Sequence, residues 1–224
     1  MAALPVLAIV FAGLEALALS KGWRKLEFSA KPAVMVFLFA WLFMATNLKG
    51  ATSWFGLGVL FSLAGDVFLL WLDRFFLFGL AVFLLAHLAY LVGFNTPLQP
   101  INLWTLLLAV MVGIGAARVM RRLLAGVHAA GESRLAVPVL VYGVVISLML
   151  LSALMTLSNM YWNGMAAVLV ALGAFLFYLS DIVLAWNKFI VPMKNGRVMN
   201  IALYHAGQFL LVAGVILQFT VSTA

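Results

Sequence analysis

Eight long apolar blocks joined by short polar turns set the outer limits on what this chain of 224 residues can become. A helix needs roughly 17 to 25 mostly apolar residues to cross about 30 Å of hydrocarbon. Blocks of that kind fall near residues 4–20, 32–47, 54–72, 75–94, 103–118, 135–157, 162–186 and 199–220. A water-soluble core would show short periodic runs instead. The expected fold class is therefore all-α, a polytopic membrane protein with eight transmembrane helices. The second block is short and opens with Pro32, which suits a first helical turn, where a backbone N–H would be unpaired in any case.

Composition agrees: 67% of the residues are hydrophobic, 8% are charged, and the mean hydropathy is +1.21, far from the range of soluble domains. No Gly/Ser-rich or Pro-rich linker breaks the chain, so residues 1–224 are expected to form a single transmembrane domain. Cysteine is absent, which removes disulfides, thiolate nucleophiles and thiolate metal sites. The formal charge of +7 does not point to nucleic acid, because the basic residues form short clusters between the apolar blocks. The first block resembles a signal peptide at ALALS, but it lacks a basic start and is followed by Lys21, Arg24 and Lys25, which resist translocation, so it reads as a helix.

Loop charges give a direction. The odd-numbered loops carry Lys21, Arg24, Lys25 and Lys31; Arg74; Arg118, Arg121, Arg122 and Arg134; and Lys188, Lys194 and Arg197. That is twelve of thirteen basic residues, with Lys49 alone on the other side. The positive-inside rule then puts the odd loops in the cytoplasm and both termini outside, in the cell (inner) membrane.

Against this background one acid stands out. Asp66 sits in the apolar run SLAGDVFLLW, with Trp71 five residues on and His87 twenty-one on. The seventh block repeats the arrangement in FYLSDIVLAW, with Asp181, Trp186 and, twenty-four residues after the acid, His205. LFSLAGDVFLLW and FLFYLSDIVLAW align without a gap, four spans apart. An even offset means both copies cross in the same direction, as two parallel four-helix repeats would. Each acid lies about six residues, or roughly 9 Å, inside the basic end of its span. A charge at membrane depth costs roughly 2.5–3.5 kcal/mol on insertion scales, so it should face protein or water, and two acids at one level can share a central cavity. The plainer reading is that each acid is a structural group bonded to nearby Ser, Tyr or Trp side chains.

Other polar residues gather at that level. Asn200, Tyr204 and Gln208 fall at i, i+4 and i+8 on one helical face. Tyr178 precedes Asp181 by three, Ser62 precedes Asp66 by one turn, and His87 is followed by Tyr90 three residues on. Such a set can bond a buried acid or orient a substrate and a water.

These residues resemble a known family, the lysoplasmalogenase or YhhN-like membrane proteins. The matching features are Lys31-Pro32, SLAGD through Asp66, FLLAHLAY around His87, FYLSD through Asp181, and LYHAGQFLLV from Leu203 to Val212, which together cover spans two to eight. The resemblance implies an eight-helix enzyme that hydrolyses the vinyl-ether bond of lysoplasmalogens to a fatty aldehyde and glycerophospho-ethanolamine or -choline. It implies Gln or His at the position of Gln208 and leaves His205 outside the core site. The chemistry suits the residues: carbon protonation gives an oxocarbenium ion that water captures, and two carboxylates, one protonated and one ionised, can divide that work. Asp66 and Asp181 are the expected catalytic pair, supported by Ser62, His87, Tyr90, Tyr178, Asn200, Tyr204 and Gln208, with no metal or cofactor. Lys31 and Arg74 can attract a substrate phosphate or serve only as topology anchors. The expected partners are a lysophospholipid substrate and membrane lipids. An ion-coupled transporter using paired aspartates remains the main alternative. A zinc hydrolase built on His87, His205 and an Asp is a second, and a structural or lipid-scaffolding protein a third.

Overall fold

The computed structural model describes residues 2–221, apart from the side chains of Leu72, Asp73 and Val221. Hydrocarbon offers no partner to a peptide group, so a crossing segment must satisfy its own backbone, as an α-helix does. The chain forms α1 (Ala3–Lys21), α2 (Arg24–Thr46), α3 (Thr52–Leu69), α4 (Leu72–Phe94), α5 (Leu103–Ala129), α6 (Ala136–Met155), α7 (Gly164–Phe189) and α8 (Gly196–Val221). All eight are long and apolar enough to cross a membrane, and the described residues contain no strand. This is the expected multi-pass, all-α architecture. Turns close where left-handed backbone is available: Gly22 (φ 70°) caps α1 and Asn47 (φ 51°) caps α2.

Three expectations about span ends are corrected. Pro32 does not open the second helix but lies inside it, eight residues after Arg24. The early turns of α2 hold because charged side chains that read as loop residues find partners: Glu27 bonds Arg197 of α8 at 2.5 Å, and Lys31 reaches α3. The fifth helix likewise runs eleven residues past Arg118, so His128 stands in its last turn and not in a loop. That extension is amphipathic, with Leu123 and Val127 buried and Arg118, Arg121 and Arg122 exposed. Finally, α3 stops three residues after Asp66 while α7 continues eight past Asp181. The two acids therefore sit about 5 Å and about 12 Å from their helix ends by helical rise, not equally deep as measured from the turns.

Helices adjacent in sequence pack on one another within each half, and between the halves α4 packs on α6 as α8 packs on α2. Exchanging the halves preserves these contacts but not those of α8 with α1 and α3 or of α5 with α7, so the two halves match only in part. Without a hydrophobic force between helices in lipid, close approach rests on small residues. The closest pair, α7 and α8, meets at Gly173 and Gly207. A Cβ on Gly207 would lie 2.8 Å from the Gly173 carbonyl oxygen and 2.8 Å from the Phe177 nitrogen. Because both obstacles are backbone, Gly207→Ala should cost about 1–3 kcal/mol and lower the melting temperature of the detergent-solubilised protein by several degrees. Gly113→Ala, where a Cβ meets nothing within 4 Å, should leave it unchanged or slightly raised.

The core runs through the bundle centre on Met35, Leu38, Phe55, Phe83, Tyr90, Met149, Phe177 and Leu211. Opposite the basic loops, side-chain amides tie the connections down: Asn95 donates to Ser152 Oγ at 2.9 Å, Gln99 to the Ser152 carbonyl at 2.8 Å, and Gln218 accepts from the Asn163 backbone at 2.7 Å. The polar residues left inside the bundle gather nearer the basic end.

Candidate active site

Asp66 and Asp181 come from α3 and α7, the third helix of each half, and both line one small polar cavity. Lys31, Ser180, Asn200 and Tyr204 share its walls, with Leu69, Phe83 and Leu184. Leu69 and Leu184 stand three residues after their acids, so the same two helical positions from each half face the same space.

The two carboxylates are held by one rule with different residues. Asp66, 1% exposed, takes Lys31 Nζ at 3.4 Å from the preceding helix of its own half, and the hydroxyl of Tyr204, from the last helix of the other half, donates to its Oδ2 at 2.7 Å. Asp181 takes a very short bond from the hydroxyl of Tyr142 on α6, the preceding helix of its half. His87 Nε2, on α4 of the other half, lies 3.2 Å from the same oxygen and 2.8 Å from the Tyr142 oxygen. Ser180 Oγ adds a bond to Asp181 Oδ1 at 3.3 Å. One acid is thus paired with an ammonium. The other is set among hydroxyls and an imidazole, and bonds to a charged or polar group at this depth weigh more than in water because the local dielectric is low.

Deeper in the bundle, Gln208 joins α3 and α4 to α8: its Nε2 donates to Ser62 Oγ at 2.9 Å, and its Oε1 accepts from the Tyr90 hydroxyl at 2.7 Å. All three side chains are buried, and their bonds fix the helices that carry Asp66, His87 and Tyr204 without touching either acid. Phe177 lies between the networks, its ring centroid 4.6 Å from His87 and 5.3 Å from Tyr204. Asn200 donates to the Ser180 carbonyl at 2.7 Å, tethering α8 beside Asp181.

Most residues expected at the site therefore come together in two layers: Asp66, Asp181, Lys31, Tyr204 and Asn200 around the cavity, with His87 bonded to Asp181, and Ser62, Tyr90 and Gln208 beneath. Lys31 departs from its expected place among the loop charges, being 7% exposed and bonded to Asp66. Arg74 stays at the surface, its guanidinium 5.2 Å over the Phe75 ring. Tyr178 has a different place, in a second and larger space that adjoins the first. This cleft is lined almost wholly by apolar side chains of α4, α5, α6 and α7, and Asp181 is its carboxylate. Asp181, Leu69, Phe83 and Leu184 belong to both spaces.

Sequence reading missed Tyr142, the closest partner of Asp181, and Glu15. Tyr142 had a usable signal, because a helix-by-helix match of the two halves sets the sixth span against the second and so directs attention to a polar residue there in the place of Lys31. Glu15 carries the same insertion cost as Asp66. It is fully buried and bonds His205 Nε2 at 2.5 Å, joining α1 to α8. This pairing also explains why His205 stays apart from the acids. The two buried histidines take separate carboxylates, His87 with Asp181 and His205 with Glu15, so they do not form the shared ligand set that a zinc site on both would need.

The sequence profile of the YhhN family matches residues 26–215. The chain is 32% identical to lysoplasmalogenase TMEM86B of Mus musculus over 192 residues, 85% of this chain and 74% of that protein. It is 34% identical to lysoplasmalogenase TMEM86B of Homo sapiens over 152 residues, 67% and 58% of the two chains. It is 30% identical to lysoplasmalogenase TMEM86A of Homo sapiens over 184 residues, 76% and 71%. No solved structure matches it. The profile match runs from α2 into α8 and holds every residue of both layers, from Lys31 to Gln208, so this chain of eight apolar helices around two bonded aspartates belongs to the YhhN family.

Proposed function

We propose that the protein is a lysoplasmalogenase, a membrane hydrolase that cleaves the vinyl-ether bond of a lysophospholipid to a fatty aldehyde and a glycerophospho-ethanolamine or -choline. The observation that carries this reading is the shared cavity: two carboxylates with unlike partners face one space beside an apolar cleft, in a chain similar to proteins named lysoplasmalogenase.

Asp181, which faces the cleft and whose ion-pair partner among the described residues is an imidazole and not a lysine, acts as the acid. Its proton passes to the alkenyl carbon remote from oxygen, and the double-bond pair forms the new C–H bond. The carbon attached to oxygen is left as an oxocarbenium ion. Asp66, ion-paired with Lys31, acts as carboxylate: it takes a proton from water as the water oxygen bonds to that carbon, giving a hemiacetal. Collapse returns the hemiacetal hydroxyl proton to Asp181 and delivers the Asp66 proton to the departing glycerol oxygen, so both groups regain their starting states and no oxidant or metal enters the balance. Lys31 acts on this cycle through Asp66 and is a positioning residue.

The eight helices work as one transmembrane domain in the cell (inner) membrane, with the basic loops in the cytoplasm and both termini outside. A lysolipid in the cytoplasmic leaflet keeps its phosphate at the headgroup level and its vinyl ether a few ångströms below, close to the depth of the two acids. Purified protein in detergent should release aldehyde from an alkenyl lysolipid and none from the matched alkyl or acyl compounds. An ion-coupled carrier would release no product from any of the three, and that result would end the hydrolase reading.

A further inference from the structure

One turn from the polar cavity, toward the basic ends of the helices, stands an ion pair that the reaction does not use. Glu27 on α2 and Arg197 on α8 meet at 2.5 Å, and their exposure is unlike: the carboxylate side chain is 10% exposed and the guanidinium side chain 72%. Glu27 precedes Lys31 by four residues, and Arg197 precedes Asn200 and Ile201 by three and four. Each therefore shares the helical face that walls the cavity, about 4.5–6 Å nearer the basic end by helical rise. Holding α2 on α8 does not by itself call for these charges. Matching the halves by the bonds made to the two acids sets Lys31 against Tyr142 and Tyr204 against His87. Glu27 then falls on Pro138 and Arg197 on Leu80, so α4 packs on α6 with apolar residues at both places.

We infer that Glu27 and Arg197 form the headgroup site of the lysolipid, Arg197 binding the phosphate and Glu27 the ammonium of a zwitterionic head; the inference rests on the hydrolase reading. The charges correspond in sign and number. A head with one phosphodiester and one ammonium is neutral, as the ion pair is, so binding leaves no net charge at the membrane surface. The guanidinium has five N–H donors and spends one on Glu27, so it can hold phosphate oxygens with others while keeping its carboxylate. Glu27 accepts from Arg197 through Oε1 and has Oε2 for the ammonium. The levels agree as well. The phosphate lies one turn outside the cavity, the glycerol spans that turn, and the vinyl ether reaches Asp66 and Asp181, which keeps the head toward the basic end as in the leaflet.

The test is equilibrium binding to purified protein in detergent of three non-cleavable alkyl-ether compounds with one chain in common: alkyl-glycerophosphoethanolamine, alkyl-glycerophosphate and alkylglycerol. Wild-type protein is expected to bind the first about tenfold or more tighter than alkylglycerol. Arg197→Gln should weaken both phosphate compounds by about tenfold and leave alkylglycerol unchanged. Glu27→Gln should weaken the phosphoethanolamine compound alone, by about fivefold. It should leave alkyl-glycerophosphate as tight or tighter, because a negative charge beside its phosphate is gone. Arg197→Lys serves where Arg197→Gln does not fold: it keeps a charge next to Glu27 but not the fork that holds two anions, and should lose about fivefold on both phosphate compounds. Equal affinity of wild-type protein for all three compounds would overturn the inference. So would variants that change all three alike or none, which would reduce the pair to a tie between helices. No step here needs hydrolysis, so wild-type protein that binds selectively yet releases no aldehyde from the alkenyl compound would end the hydrolase reading and keep the headgroup site.

Discussion

Asp66→Asn and Asp181→Asn will each lower the rate of aldehyde release by about 10²- to 10⁴-fold, the range associated with loss of one general acid or base. Asparagine keeps the shape and can still bond Tyr204 or Tyr142, so both variants should remain folded and monodisperse in detergent, Asp66→Asn with a lowered melting temperature because it leaves the Lys31 ammonium buried without its partner. The geometry makes the effects non-additive. In the proposed cycle, protonation of the alkenyl carbon and capture by water occur on one molecule beside the cavity that both acids line, so the double variant should be little worse than the poorer single one. Either single variant turning over alkenyl lysolipid at the wild-type rate would remove the shared acid–base assignment. A purely structural role for the acids would instead show as lost stability with activity retained in the folded fraction.

The second large effect concerns Lys31, whose side chain is 9% exposed and lies 3.4 Å from Asp66 Oδ1. Removing one partner of a buried ion pair strands the other, at a cost of about 3–5 kcal/mol. At a few degrees per kcal/mol for a chain of this size, Lys31→Met should lower the apparent melting temperature by about 10 °C. It should also reduce activity, because Asp66, the proposed acceptor of the water proton, loses the charge that holds it in place. The Lys31→Met, Asp66→Asn double variant has no stranded charge, so it should recover most of the stability and none of the activity. Thermal melts of the three proteins check this directly; a Lys31→Met protein as stable as wild type would mean the lysine contributes only topology.

That lysine also shows what sequence reading could and could not reach. Hydropathy finds charged residues costly in lipid and therefore assigned Lys31, Arg24 and Lys25 to a loop. The structure keeps all three in α2, and the lysine is buried because Asp66 waits across the helix interface. The same blindness shortened the fifth span at Arg118: a one-dimensional window cannot see that Leu123 and Val127 point inward while the arginines point out. Asp66 and Asp181, by contrast, were legible because an acid in an apolar run is rare and because the run occurs twice. Tyr142 and Glu15 were harder to read: tyrosine is cheap in a membrane helix, and Glu15 has no repeated surroundings to mark it.

What the amino-acid sequence determined by itself is the set of one-dimensional constraints: the number of crossings, fixed by the length of apolar runs against the thickness of hydrocarbon; the end of the bundle that carries the basic residues; and the pair of acids that no lipid-facing position could tolerate. The tertiary structure decided which partner each acid received, Lys31 and Tyr204 for one, His87 and Tyr142 for the other, and which of the two borders the apolar cleft. Those outcomes depend on how helices from opposite halves rotate and approach. That is set by the packing of glycines and aromatic rings between residues far apart in the chain, a property of pairs of helices and not of any single segment.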